Sequence, residues 1–90
     1  MKLKYKYDPQ DYEACHLLSD DMRAFYKTYE KHKNEPNNDT EFELKQAYDL
    51  LYFSIKHRAV EECITDQERN EMWAYFEELK VKNLCKSLEN

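Results

Sequence analysis

The complete absence of glycine is the feature that most limits how this 90-residue chain can fold. Glycine adopts positive φ angles without steric cost, and the tight turns of β-hairpins depend on it. A chain without glycine can make few such turns, which argues against a β-rich fold. The abundance of Glu, Lys and Leu favours helix instead. The sequence therefore predicts an all-α fold.

The first predicted helix covers residues 9–33. Asp8 can cap its start, and Pro9 is tolerated in a first helical turn because its missing N–H would have no intrahelical partner there. Apolar residues then recur at steps of three and four, which places them on one side of the helix. The sequence NEPNND at residues 34–39 follows. Its proline and its turn-forming side chains predict a loop.

The next two helices, predicted over residues 41–64 and 66–88, each follow a Thr-x-x-Glu pattern, at Thr40 and at Thr65. In this capping box, each of the two side chains can accept a hydrogen bond from the backbone N–H of the other residue. The connection between the two helices is very short, so they should be antiparallel neighbours. A kink or a break of the middle helix near residues 56–58 is the alternative to one continuous helix.

The N-terminal segment, residues 1–8, alternates between apolar and lysine side chains, which is the period of a strand. No other segment offers it an obvious partner strand. It is expected to be an extended arm on the helices, a strand that pairs with a second copy of the chain, or a disordered tail. The predicted architecture is a single domain over residues 1–90, an up-down-up three-helix bundle with a short extended N-terminal arm.

The middle helix has apolar residues on two separate sides. One side, from Leu44 to Ala59, should face the other two helices. The second side could be covered by the N-terminal arm, form an interface with a second copy or another protein, or be core in a tightly wrapped bundle. Exposed apolar patches on small proteins tend to be binding sites. The predicted partner-binding residues are therefore those of the second side: Phe42, Leu50, Phe53, Val60 and Ile64.

The charge of the chain bears on its partners and its location. A net charge of −5 disfavours a nucleic-acid backbone or an anionic membrane as the main partner. Three lysines interleaved with aromatic rings form the only basic stretch of this kind, Lys2, Lys4 and Lys6 with Tyr5 and Tyr7. No apolar run is long enough to span a bilayer, and the first residues do not form a signal peptide. The expected location is cytoplasmic.

Catalytic and metal-binding patterns are weak. Glu13 and His16 have the i, i+3 spacing of metal ligands in helical bundles, but a second such pair is missing and both lie on the polar side of their predicted helix. Cys63 falls on the far side of its predicted helix from His57, so the two should not form a nucleophilic pair. No catalytic residue, metal site or cofactor is predicted. The three cysteines are expected to be buried, inert thiols: Cys15, Cys63 and Cys85.

These features together predict a small, acidic, non-catalytic module for protein–protein interaction. Its role would be regulatory, inhibitory or accessory, and it would bind a protein partner or itself, as a homodimer, through the middle helix. Two alternatives come from other classes of protein. One is a metal- or ligand-binding bundle that is complete only as a dimer. The other is a protein that binds nucleic acid through the basic N-terminal arm.

Overall fold

The structure, a computed structural model, describes the backbone of residues 5–89 and the side chains of residues 5–15 and 17–83. This part of the chain is all-α, as predicted. A short 3-10 segment, Pro9–Cys15, leads into α1 (His16–Asn34), which is followed by α2 (Asn38–Val60) and α3 (Asp66–Glu89). The described residues contain no strand.

The segment predicted as one helix over residues 9–33 is divided in two. Its first part is the 3-10 segment, which contains a non-helical residue at Tyr12 (φ −117°, ψ 22°). Cys15 also has non-helical angles and no side chain caps α1 at this point. The Ser19 hydroxyl donates to the Pro9 carbonyl at 2.9 Å. This bond satisfies a carbonyl that a continuous α-helix would use internally, and it holds the 3-10 segment against α1.

The second helix begins three residues earlier than the predicted start at residue 41. Its N-cap is Asn37, whose side-chain Oδ1 accepts from the Thr40 backbone N–H at 2.9 Å. In return, Thr40 Oγ1 accepts from the Asn37 backbone N–H at 3.0 Å. Thr40 is therefore the third residue of the helix in this capping box, whereas the sequence pattern predicts it to be the N-cap.

The same helix ends at Val60, before the predicted end at residue 64, and runs without a break through residues 56–58. Glu62 has a positive φ of 64° and turns the chain out of the helix. The backbone N–H of Glu62 donates to Ala59 O at 3.0 Å, and that of Cys63 donates to Arg58 O at 2.9 Å. This is the Schellman pattern of helix termination, formed here without its usual glycine.

The third helix begins at Asp66, directly after the predicted cap. Thr65 Oγ1 accepts from the Glu68 N–H at 3.0 Å, and the Glu68 carboxylate accepts from the Thr65 N–H at 3.1 Å. The three α-helices all contact one another. Phe25 of α1 and Phe76 of α3 are fully buried, with ring centroids 5.3 Å apart at 78°. The other large, fully buried apolar side chains around them are Leu18, Met22, Leu44, Leu51, Ile55 and Met72.

Residues 5–7 lie against α1 and α3. The Tyr5 ring stacks on Tyr26 with centroids 3.9 Å apart, and Tyr7 meets Tyr75 edge-on at 5.2 Å. Tyr26 Oη donates to the Tyr7 carbonyl at 2.6 Å. Lys6 between them is exposed, so the alternation of the sequence persists, but these residues form no strand. The rest of the predicted strand, residues 1–4, lies outside the described residues.

Candidate interaction surface

Four of the five predicted partner-binding residues share one exposed surface. Phe42 is 64% exposed, Leu50 58%, Phe53 54% and Val60 74%. Ile64 is only 5% exposed and packs in the hydrophobic core. The difference arises because α2 ends at Val60, so Ile64 no longer follows the helical phase of the other four residues. We call Phe42, Leu50, Phe53 and Val60 the α2 face.

The position of the α2 face follows from the buried side of the same helix. The buried residues of α2 include Leu44, Leu51 and Ile55, which contact the rest of the core. On a helix with 3.6 residues per turn, the α2 face lies opposite to them. From Phe42 to Val60 it extends over about 27 Å at 1.5 Å per residue. The four side chains thus form a long, narrow stripe directed away from α1 and α3, in which exposed Gln46 and His57 lie between the apolar residues.

The centre of this stripe is supported by aromatic contacts with α3. Phe53 meets Tyr52 edge-on, with centroids 5.8 Å apart. Tyr52 in turn stacks on Trp73 at 4.4 Å, and the Trp73 indole Nε1–H donates to the Tyr52 carbonyl at 3.2 Å. Phe53 is thus in contact with an aromatic pair that joins α2 to α3.

Charged side chains of both signs border the stripe. Glu43 accepts from Lys31 of α1 at 3.1 Å, and near the C-terminal end Arg58 pairs with Glu61 at 2.9 Å. Asp49 and Lys56 are both exposed and lie on one flank of the α2 face, two turns apart. The negative charge of Asp49 precedes the positive charge of Lys56 along this flank. The flank is therefore complementary to a surface on which a positive charge lies opposite Asp49 and a negative charge opposite Lys56.

Residues 5–7 do not cover the α2 face, because their contacts are with α1 and α3. This position also removes an aromatic contribution to the nucleic-acid alternative. One face of the Tyr5 ring is covered by Tyr26 and the Tyr7 ring is buried, so these surfaces are not available to stack on bases. Lys2 and Lys4 lie outside the described residues.

Of the candidate metal pair, the structure describes the side chain of Glu13 but not that of His16. The Glu13 carboxylate accepts from Arg23 at 2.7 Å, and both side chains are exposed. Within the described side chains, no three His, Cys, Asp or Glu residues converge in a way that could hold a metal ion.

Two features escaped the sequence analysis. Leu17 is a large apolar residue that is 54% exposed on α1, where the apolar stripe alone gives no sign of it. Cys63 is exposed and Cys15 is half-buried, against the expectation of buried thiols, and both are free. The Cys85 side chain lies outside the described residues.

Comparison with protein-family models, with curated proteins and with solved structures gives no match to this chain. None of the described helices combines the length and the apolar content needed to cross a bilayer. The function must therefore be inferred from the geometry of the chain itself.

Proposed function

We propose that this chain is a small, acidic interaction module without catalytic activity, and that it binds another protein chain through the α2 face. In this proposal the three α-helices form an up-down-up bundle on which the N-terminal arm packs. The observation that carries the proposal is the exposure of 54–74% at four large apolar side chains on one side of one helix. Large apolar side chains that are exposed together on one side of a helix are typical of binding sites on small proteins.

A second copy of the chain is the partner we propose. In a two-fold symmetric contact, α2 would cross its own copy antiparallel, and each flank would meet the same flank of the other helix. Asp49 of each copy would then approach Lys56 of the other, so the charges on this flank match. The symmetry axis would pass near Phe53, and the two Phe53 rings would meet at the centre of the interface.

The exposed apolar side chains would contribute much of the free energy of a dimer. Burying the exposed part of each of these side chains gains about 1–2 kcal/mol. A symmetric contact buries four from each copy, so the gain is roughly 8–16 kcal/mol. Association itself costs about 4–15 kcal/mol in lost translational and rotational freedom. A dissociation constant of 1 μM corresponds to a net gain of about 8 kcal/mol, which these figures reach only when the gain is near the top of its range and the cost is near the bottom.

The cytoplasm is the proposed location. The chain has three cysteines, and the two described thiols are free. Free thiols persist in a reducing compartment, whereas disulfide frameworks are typical of secreted proteins.

The test compares two aspartate substitutions at positions of equal exposure. Phe53 and Leu17 are both 54% exposed, but only Phe53 belongs to the α2 face. We expect Phe53→Asp to keep the helical circular dichroism and to lose self-association, because it places like charges together at the two-fold axis. Leu17→Asp should keep both properties.

Two outcomes contradict the proposal. Self-association that Phe53→Asp leaves unchanged would show that the α2 face is not the interface. Loss of helical structure in Phe53→Asp would show that this residue supports the core. Val60→Asp, at 74% exposure, repeats the test at the end of the stripe.

A further inference from the structure

Two cysteines that are far apart in the sequence lie together at one end of the molecule. Cys15 is the last residue of the 3-10 segment, and Cys63 lies in the connection between α2 and α3. Both line a surface cavity of about 230 Å³, together with Leu17, Arg58 and Glu61. The two thiols thus share one small region of the surface.

Both residues lie where the chain leaves or enters regular structure. Neither lies within an α-helix, so a bond between them would not interrupt a helical hydrogen-bond series. Glu62, at positive φ, turns the chain immediately before Cys63, and the Cys63 N–H is held by Arg58 O at 2.9 Å. The connection therefore holds Cys63 at the cavity, and a disulfide with Cys15 requires the two Cα atoms to come within about 7 Å of each other.

We propose that Cys15 and Cys63 form a reversible intramolecular disulfide by exchange with a low-molecular-weight disulfide. The thiolate of Cys63 attacks one sulfur of the small disulfide, the S–S bond breaks, and one small thiol leaves. The thiolate of Cys15 then attacks the Cys63 sulfur of the mixed disulfide and displaces the second small thiol. The chain loses two electrons and two protons, and the small disulfide is reduced to two thiols.

The environments of the two thiols set this order. Cys63 is exposed and meets the oxidant first, whereas Cys15 is half-buried. Burial, followed by the neighbouring Cys63 thiol, raises the pKa of Cys15, while the nearby Arg58 guanidinium acts in the opposite direction. Cys15 is thus protonated at neutral pH and serves as the resolving thiol, so the closure step should accelerate as the pH rises above neutral.

The test uses the full chain in glutathione buffers of increasing oxidised fraction, with free thiols alkylated before peptide mapping by mass spectrometry. We expect a monomeric product that is lighter by two hydrogen atoms and contains a Cys15–Cys63 linked peptide, with Cys85 alkylated. The thermal midpoint of this product should rise on the order of 10 °C, because the bond closes a long loop.

Cysteine-to-serine variants provide the controls. Cys85→Ser should oxidise like the unsubstituted chain, whereas Cys15→Ser should stop at a glutathione adduct on Cys63. Absence of the Cys15–Cys63 peptide in every buffer would overturn the proposal, and so would a linkage that requires Cys85. The mapping needs no variant to fold, and its outcome does not depend on whether the α2 face binds a partner.

Discussion

Replacing Thr40 by valine should destabilise the protein much more than the same replacement at Thr65, although both residues cap helices. Thr40 is 3% exposed, whereas Thr65 is exposed. The Thr40 hydroxyl oxygen lies 2.7 Å from His32 Nδ1, and it accepts from the Asn37 N–H at 3.0 Å. It also donates to the Glu35 carbonyl at 3.0 Å. Valine keeps the branched shape and removes all three interactions.

The magnitude follows from what is left without a partner. Loss of a capping interaction costs about 0.5–2 kcal/mol, and a buried polar group left unsatisfied costs about 1–3 kcal/mol. His32 is fully buried, and its Nε2 already has no hydrogen-bond partner among the described residues. Without the Thr40 hydroxyl, both ring nitrogens would be unsatisfied. We therefore expect Thr40→Val to cost about 2–4 kcal/mol of the roughly 5–13 kcal/mol typical of a chain this size.

The measurement is urea unfolding followed by far-ultraviolet circular dichroism, with Thr65→Val as the matched control. Thr65 loses its bond from the Glu68 N–H and a 3.5 Å bond to the Glu68 carboxylate, both at an exposed position where water replaces them, so that variant should lose about 0.5–1 kcal/mol. If Thr40→Val costs no more than Thr65→Val, the buried His32–Thr40 interaction does not stabilise the junction of α1 and α2 as described.

Three other perturbations test separate parts of the fold. Glu62→Gly should stabilise the protein by about 1 kcal/mol in urea unfolding, because glycine adopts the positive φ of the α2 terminus without strain; an unchanged or lower stability would contradict the assigned helix end. Tyr26→Phe should cost about 1 kcal/mol, since it leaves the Tyr7 carbonyl without its buried donor; a neutral effect would show that residues 5–7 are not held there. Burial, followed by the Glu77 carboxylate, raises the pKa of Tyr48 from 10.0 to about 12. The stability that this neutral phenol contributes is present below pH 10 and is lost as the pH rises through 12. The free energy of unfolding should therefore fall less across this range in Tyr48→Phe than in the unsubstituted chain.

Features that depend on a few neighbouring residues were predictable from the sequence. The start of α3 was placed correctly because Thr65 and Glu68 satisfy each other's backbone N–H groups without help from the rest of the protein. The buried sides of α1 and α2 were placed correctly because helical periodicity alone separates them from the polar side.

The helix ends were less predictable, for two physical reasons. At the start of α2, Asn37 and Thr40 are both good capping residues, and the choice between them depends on tertiary structure. Starting at Asn37 lets the Thr40 hydroxyl reach His32, which belongs to the preceding helix. At the end of α2, Glu62 adopts the positive φ that glycine usually provides, so no residue type marks the terminus. The early end also explains why Ile64 is buried.

Contacts between distant segments could not be predicted from periodicity. Tyr5 stacks on Tyr26, and Cys15 and Cys63 line the same cavity, only because the folded helices bring those segments together. The α2 face was predictable as an apolar side. Its exposure depended on where the N-terminal residues pack, and residues 5–7 lie against α1 and α3.

The most direct test of the central proposal is the mass of the chain in solution, measured by light scattering through the micromolar concentration range. Self-association through the α2 face predicts a mass that rises with concentration toward twice the chain mass of 11.1 kDa. Phe53→Asp should remain at the mass of one chain under the same conditions. An unsubstituted chain that stays at 11.1 kDa at every concentration would contradict the account, as would a Phe53→Asp variant that associates equally well.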